Sequence, residues 1–262
     1  MPGATPLDLL PLWAFFVATL LFFLLSIEGG YRMGKHRRQR AKEEKDAPVG
    51  GMVGATLGLF AFLLAFTFGF AATRFEARQQ LVLDEANAIR TTYLRAELLS
   101  EPHRKIVLQL LREYVDVRLE IVRTGKLAQG IRRSEELHDL LWQQASAVAR
   151  DKRDPTFVGP FIQSLTEVIN IHSKRALIVQ RGRIPGTIWA ALYVVGVIAL
   201  GVMGYYSGLT GTSRSLALLA VAIAFSAVMW LIANLDRPRE GSLKVSQQPM
   251  MDVRKIMIEP KP

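Results

Sequence analysis

"GLFAFLLAFTFGFAATRFEARQQLVLDEANAIR" (Gly58–Arg90) decides how this chain folds, because an apolar helical segment passes directly into a charged one. No Pro or Gly interrupts the stretch after Gly69, so the helical pattern continues through the change in polarity. The apolar part has the character of a membrane span, and the charged part that of a water-exposed helix. We therefore expect one continuous helix that belongs to both environments.

Four apolar blocks contain most of the hydrophobic residues, which make up 50% of the 262-residue chain. Each block is about 20 residues long without Lys, Arg, Asp or Glu, which is enough to cross roughly 30 Å of hydrocarbon. The blocks are about Leu9–Ile27, Met52–Ala72, Ile184–Tyr205 and Leu216–Leu235. The first lacks the basic start and the cleavage site of a signal peptide, so we expect it to remain as an anchor.

Residues 73–183, between the second and third spans, have a helical pattern with no competing strand pattern. The helix of the second span is predicted to continue over Arg74–Leu99. A new helix is predicted to start with Ser100 as its N-cap and Pro102 in its first turn, and to end near Gly125. Two further helices are predicted over Ser134–Arg150 and Phe161–Gln180, separated by a turn at Asp154 and Pro155. The predicted fold is all-α. It comprises two transmembrane helices and a basic loop (1–72), a helical cytoplasmic region (73–183), two transmembrane helices (184–235) and a C-terminal tail (236–262).

The distribution of basic residues predicts the orientation. The net charge of +10 would point to nucleic acid in a soluble protein, but beside four spans it indicates loops that face anionic lipid headgroups. Arg74–Arg183 contains 19 Lys and Arg residues and six follow Leu235, whereas only Arg214 lies between the last two spans. This pattern places the middle region and the C-terminus in the cytoplasm. The seven basic residues of Arg32–Lys45 oppose it, since four spans would put that loop outside.

The sequence contains no pattern typical of an enzyme or of a metal site. There is no Cys, no Ser/His/Asp signature, no Gly-rich phosphate loop and no pair of carboxylates within a span. The four His residues are scattered singly, without the spacing of metal ligands, and are interpreted as solvated surface imidazoles: His36, His103, His138 and His172. We expect neither an enzyme nor a cofactor.

Two adjacent faces of the second span have distinct compositions at 100° per residue. One is a stripe of small residues, which would let another helix approach closely: Gly54, Gly58, Ala61, Ala65, Gly69 and Ala72. Beside it lie Leu59 and Leu63 and a row of Phe residues at i, i+4 and i+8: Phe62, Phe66 and Phe70. Such a row also suits contact with lipid or with a core, so its position on the helix leaves its role open.

The charged half of the stretch has a similar ambiguity. An ordinary solvated helix face would account for four of its charged residues: Glu76, Asp84, Glu85 and Arg90. Arg74 lies where the span leaves the hydrocarbon, so its side chain could simply extend to the membrane interface. Asn87, between Ala86 and Ala88, predicts a tight helix contact with a hydrogen bond across it.

Two segments carry a resemblance to a known family. "LLAFTFGFAATRFEARQQL" resembles the second transmembrane segment of bestrophins, particularly bacterial ones, at Arg74, Phe75, Glu76, Ala77 and Arg78. "LDEANAIRTTYLRAELL", which contains Glu85 and Asn87, and the tail "LDRPREGSLKVSQQP" are similar to a bacterial membrane family described as bestrophin-like. The tail motif of that family, Asp-x-Pro-Phe-x-Gly, corresponds to Asp236, Pro238 and Gly241, with Arg239 in place of Phe.

The resemblance implies a function. Bestrophins are pentameric ion channels whose second segment lines a hydrophobic neck; Phe62 and Phe66 match the neck aromatics, and Phe70 lies one turn further. The family's calcium site uses an acidic cluster after the last span. Here the matching region offers only Asp236, Glu240 and Asp252, separated by basic residues, so a structural turn is expected instead.

The predicted protein is thus a homo-oligomeric, pentameric ion channel of the bacterial cytoplasmic membrane, whose partners are its own copies, lipids and permeating ions, and not nucleic acid. Vertebrate bestrophins conduct anions and some bacterial relatives prefer cations, so the resemblance does not specify the ion. The alternative is a non-conducting membrane scaffold or stress-response component built on the same helices.

Overall fold

The computed structural model describes residues 11–40, 47–151, 155–181, 183–212, 216–237 and 243–259. Over these ranges the secondary structure is entirely helical, in eight helices: α1 (Leu12–Arg40), α2 (Ala47–Ala96), α3 (His103–Thr124), α4 (Leu127–Asp151), α5 (Pro155–Arg181), α6 (Gly186–Thr210), α7 (Leu216–Asp236) and α8 (Gln248–Ile258). The predicted all-α fold is confirmed. α2 is one uninterrupted helix of 50 residues, as the opening stretch predicts.

The chain divides into two compact units. The membrane unit comprises Met1–Phe75 and Gly182–Lys244, and the helical unit comprises Glu76–Arg181 and Val245–Pro262. In the described part of the chain, four helices are long and apolar enough to cross a membrane: Leu12–Arg40, Val49–Ala96, Gly186–Thr210 and Leu216–Asp236. Four membrane-spanning helices were expected, and four are found.

Glycines hold α1 and α6 together in the membrane unit. A Cβ on Gly30 would overlap the carbonyl oxygen of Gly201, and one on Gly204 would overlap that of Ile27. Gly34 and Gly208 are restricted in the same way by the backbone of the opposite helix. Close backbone approach of this kind lets helices associate in lipid, where the hydrophobic effect does not drive them together. The sequence analysis did not identify this contact.

The same contacts show that α1 and α6 run parallel, because the paired residue numbers rise together along both helices. Their C-terminal ends therefore lie at one end of the unit, where the Arg38 guanidinium packs against Gly211, the left-handed C-cap of α6. At the opposite end, the backbone N–H of Ile184 donates to the Asp236 carboxylate at 2.9 Å. This arrangement is the one that four alternating spans require.

The helical unit packs around a continuous apolar core. α2 contributes Ile89 and Tyr93, α3 contributes Leu111, and α4 and α5 contribute Leu141 and Leu165 among others. α8, which the sequence analysis did not predict, covers this core with Met250, Val253 and Met257.

Several predicted helix boundaries are wrong. Ser100 is not the N-cap of α3: that position is Pro102, and no side chain caps the helix. α4 begins at Leu127 rather than Ser134, because Gly130 fits beneath the Ile121 side chain of α3 and favours packing of this earlier turn. α5 begins at Pro155, where a missing backbone N–H costs nothing, rather than at Phe161.

Gly30→Ala should lower the stability of the membrane unit, because the added methyl group meets the α6 backbone, and overpacking typically costs about 1–3 kcal/mol. Gly29→Ala is the matched control, since a Cβ there has nothing within 4 Å. Thermal unfolding in detergent should give a lower midpoint for Gly30→Ala alone. Equal midpoints would show that α1 and α6 are not held by this contact.

Candidate functional site

Within the membrane unit, α2 presents one face to the core. Phe60, Leu64, Thr67 and Ala71 are buried at the spacing of a single helical face. The Phe60 ring packs edge-on against Phe23 of α1 at 5.8 Å between centroids, and lies 4.8 Å from the Phe225 ring of α7. This face fixes the rotation of α2 about its own axis, and so determines which residues point away from the chain.

The Phe row lies on the opposite side of α2. Phe62, Phe66 and Phe70 are 66%, 71% and 39% exposed within the single chain. Arg74 continues from the row, with its guanidinium 4.1 Å from the centre of the Phe70 ring, and donates a 2.6 Å hydrogen bond to the carbonyl of Arg183. Three large apolar side chains on the uncovered side of the helix are thus followed by a half-buried cation that is fixed by the Arg183 carbonyl.

Most of the small-residue stripe beside the row is uncovered as well, although Ala72 at its end packs against the membrane-unit core. A Cβ at Gly54, Gly58 or Gly69 would have nothing within 4 Å, and Ala61 and Ala65 are exposed. Asn87, in the helical unit, is also exposed. In the described part of the chain, Asn87 and the stripe residues other than Ala72 do not make the predicted helix contact, so contact with another subunit remains a prediction for them.

The other motif residues have varied positions. Phe75 packs against the membrane-unit core, Glu76 is exposed and Arg78 is half-buried. Asp236 is buried and accepts the Ile184 N–H, which is a contact between distant parts of the membrane unit and not a turn, so the structural turn remains a prediction. Pro238, Gly241 and Glu240 lie outside the described residues. Asp252 is exposed and bonded to Gln248.

Glu85 does not lie on a solvated face, which corrects the sequence interpretation. Its side chain is fully buried in the helical unit. The hydroxyl of Tyr114 donates to one carboxylate oxygen at 2.6 Å, and Arg118 Nε forms an ion pair with the same oxygen at 3.2 Å. Arg118 Nη2 donates to the other oxygen at 3.4 Å, and Arg175 pairs with that oxygen as well. Three donors from α3 and α5 therefore compensate the loss of water around a carboxylate on α2.

Two of the four histidines complete this cluster, so the prediction of surface imidazoles is wrong for them. His138 of α4 and His172 of α5 are buried, with ring centroids 4.8 Å apart in an edge-to-face arrangement. His172 Nδ1 lies 3.2 Å from the Tyr114 hydroxyl oxygen. We call Glu85, Tyr114, Arg118, His138, His172 and Arg175 the Glu85 cluster.

Burial controls the ionisation of the cluster. Loss of solvent, reinforced by the nearby charge of Arg118, lowers the pKa of His138 to about 4 and that of His172 to about 3. Burial also raises the pKa of the Tyr114 hydroxyl to about 12, so that it remains a hydrogen-bond donor at neutral pH. Both imidazoles are accordingly neutral near pH 7.

Comparison with known proteins identifies the family. A protein-family model described as the bestrophin-like domain matches residues 14–250. The chain belongs to the bestrophin-like family. Crystal structures of two point mutants of a bacterial bestrophin homolog from Klebsiella pneumoniae share the fold. The first has a TM-score of 0.67 and 14% sequence identity, and the match covers 94% of this chain and 97% of that chain. The second has a TM-score of 0.65 and 13% sequence identity, and the match covers 93% of this chain and 97% of that chain. No curated protein matches the sequence.

The sequence of this bestrophin-like chain contains a signal for the Glu85 cluster, although none of the sequence-based predictions included it. His138 stands between Leu137 and Leu141, and Glu85 precedes Ala86 and Ile89, so each lies on the apolar side of its helix. A titratable residue at such a position must either find hydrogen-bond or ion-pair partners in the core or prevent the helix from packing there. Which partners it finds depends on other helices, and the spacing along one helix does not reveal them.

Glu85→Gln should destabilise the helical unit, because it leaves two buried guanidiniums without a counter-charge. Breaking a buried ion pair by removing one partner costs about 3–5 kcal/mol. Asp84→Asn is the control, since Asp84 is half-buried and bonds only to Gln80 on the same helix in the described contacts. Thermal unfolding of both variants in detergent measures the difference. If the two variants unfold at the same temperature, the cluster does not hold the unit together.

Proposed function

We propose that this bestrophin-like chain forms an oligomeric ion channel, with Phe62 and Phe66, extended by Phe70, at a hydrophobic constriction. The observation that carries the proposal is the exposure of all three aromatic side chains on a helix whose opposite face is buried. Membership of the bestrophin-like family supports it, because bestrophins are ion channels.

The adjacent small-residue stripe favours a ring over simple exposure to lipid. A helix that faces only lipid has no need of closely spaced glycines, whereas a helix in a ring directs one face to the axis and the next to a neighbouring subunit. At 100° per residue the stripe and the Phe row are adjacent faces of α2. An identical interface repeated around an axis closes into a ring, and the resemblance to bestrophins suggests five subunits.

In such a ring the Phe side chains would control conduction by excluding water. A narrow aromatic passage offers water few hydrogen-bonding partners, so the passage empties and ions are blocked. Opening then requires only a modest widening, since a wetted passage conducts. This mechanism requires no charged side chain at the constriction.

The proposed location is the bacterial cytoplasmic membrane, with the helical unit and the C-terminus in the cytoplasm. The support is the 19 basic residues in Arg74–Arg183 and the six after Leu235, against one between α6 and α7.

Replacing Phe62 and Phe66 together by Ala should raise conductance, because a wider and less apolar constriction stays wet. Purified protein in planar bilayers would show larger or more frequent currents than the wild type. Phe68→Ala is the matched control: Phe68 is an exposed aromatic two residues from Phe66, so it lies on a different side of α2. We expect Phe68→Ala currents to equal those of the wild type.

The oligomeric state of each variant must be measured first, since large-to-small changes can cost about 3–5 kcal/mol where a Phe is packed. Intact rings that carry no current in any variant, salt or voltage would reject the channel and leave the non-conducting scaffold. A monomer with the Phe row in lipid would reject the ring itself.

Gly58→Leu should weaken the oligomer while leaving the single chain folded, because the position is open within the chain but lies on the proposed subunit contact. Gly29→Leu serves as the control, since it is also open but lies on α1. Mass photometry in detergent should detect smaller assemblies for Gly58→Leu only. Wild-type assembly of Gly58→Leu would exclude a subunit contact at the stripe.

A further inference from the structure

The carboxylate of Glu85 joins α2 to α3 and α5, and α4 joins the cluster through the ring of His138, which packs against Tyr114 and His172. α3 contributes Tyr114 and Arg118, α4 contributes His138, and α5 contributes His172 and Arg175. With both imidazoles neutral, two guanidiniums face a single carboxylate, so the cluster carries one net positive charge. Every added proton increases a like charge within a buried site, where repulsion is strong.

The hydrogen bonds show where an added proton would bind. The carboxylate of Glu85 can only accept, so Tyr114 donates its single proton there, and His172 must donate its Nδ1 proton to the Tyr114 oxygen. The neutral His172 ring therefore carries its lone pair on Nε2. Among the described residues this buried nitrogen has no hydrogen-bond partner, and neither has Nε2 of His138. The cluster thus contains a lone pair at His172 Nε2 that no contact uses, and a second unpartnered ring nitrogen beside it.

We propose that the Glu85 cluster is an acid-sensitive restraint on α2, which is released when His138 or His172 takes up a proton. A protonated His172 gains an N–H without an acceptor and brings a second net positive charge beside Arg118. Both effects favour separation of α2 from α3, α4 and α5, which exposes the imidazolium to water. The restraint does not depend on the proposed channel; if the channel exists, α2 carries both Glu85 and the Phe row, and bilayer currents test whether release of the cluster alters conduction.

The sign of the pH dependence follows from the ionisation of the two rings. In a released chain each imidazole has an ordinary pKa of about 6.5. In the closed cluster burial and Arg118 lower the pKa of His138 to about 4 and of His172 to about 3, with Asp139 on α4 acting in the opposite direction on His138. The released state therefore binds more protons below about pH 6.5. The restraint is complete above that pH and weakens progressively as pH falls toward 4.

Hydrogen exchange of the full chain in detergent, corrected for the intrinsic pH dependence of exchange, tests the restraint directly. Protection of residues 81–96 of α2 should fall by at least about tenfold for each titrating histidine between pH 7.5 and pH 5. The double variant His138→Phe, His172→Asn should show no such fall, because Phe fills the site of His138 and the Asn amide can donate to Tyr114 without titrating. His103→Gln, at a histidine outside the cluster, should respond as the wild type does.

Equal loss of protection in the wild type and the double variant would overturn the proposal, as would unchanged protection of the wild type at pH 5. If the double variant fails to fold, His138→Phe alone decides: a reduced pH response supports the restraint and a wild-type response overturns it. Bilayer currents at pH 7.5 and 5 form a separate arm. Absence of current in all variants would reject the channel, while the exchange result would still decide the restraint.

Discussion

A backbone that crosses hydrocarbon must satisfy its own hydrogen bonds, because each unpaired polar group there costs several kcal/mol. α2 meets this requirement as a helix and then continues to Ala96 without a break. Each unit of the chain packs against a different half of it. In the membrane unit the contact is made by Phe60 and Leu64, and in the helical unit by Ile89 and Tyr93. The rest of the structure depends on this one helix keeping its regular geometry in two solvents.

The two units use different forces to hold α2. In lipid the gain comes from close packing, so glycines such as Gly30 and Gly204 bring backbones together and aromatic rings fill the remaining space. In the helical unit apolar burial supplies the stability, and the Glu85 cluster adds specificity. A buried ion pair contributes little net free energy, but a slip in the register of α2 would leave Glu85 and both guanidiniums unpaired. The cluster therefore favours the register that pairs Glu85 with both guanidiniums.

The uncovered surface of α2 is as informative as its buried one. Within the described residues of a single chain, Phe62, Phe66 and the glycines of the small-residue stripe are uncovered, whereas α1 and α6 pack glycines such as Gly30 and Gly204 against each other. The fold is shared with a Klebsiella pneumoniae homolog at 14% identity. Few side chains are identical between the two proteins at that level, so the likeness concerns the fold and not the residues exposed on α2.

The sequence by itself determined the helical class, the four spans, the continuity of α2 and the family, because these follow from local periodicity, from runs of apolar residues and from short motifs. Only the tertiary structure decided that Gly30 and Gly204 form the close helix contact, that α8 packs on α3, and that His138 and His172 are buried with Glu85. A glycine is equally permissive in contact and in open space, and a charged residue at an apolar helical position has several possible partners. In each case the residue that makes the contact lies on another helix, far away in the sequence, and only the three-dimensional packing shows which residue it is.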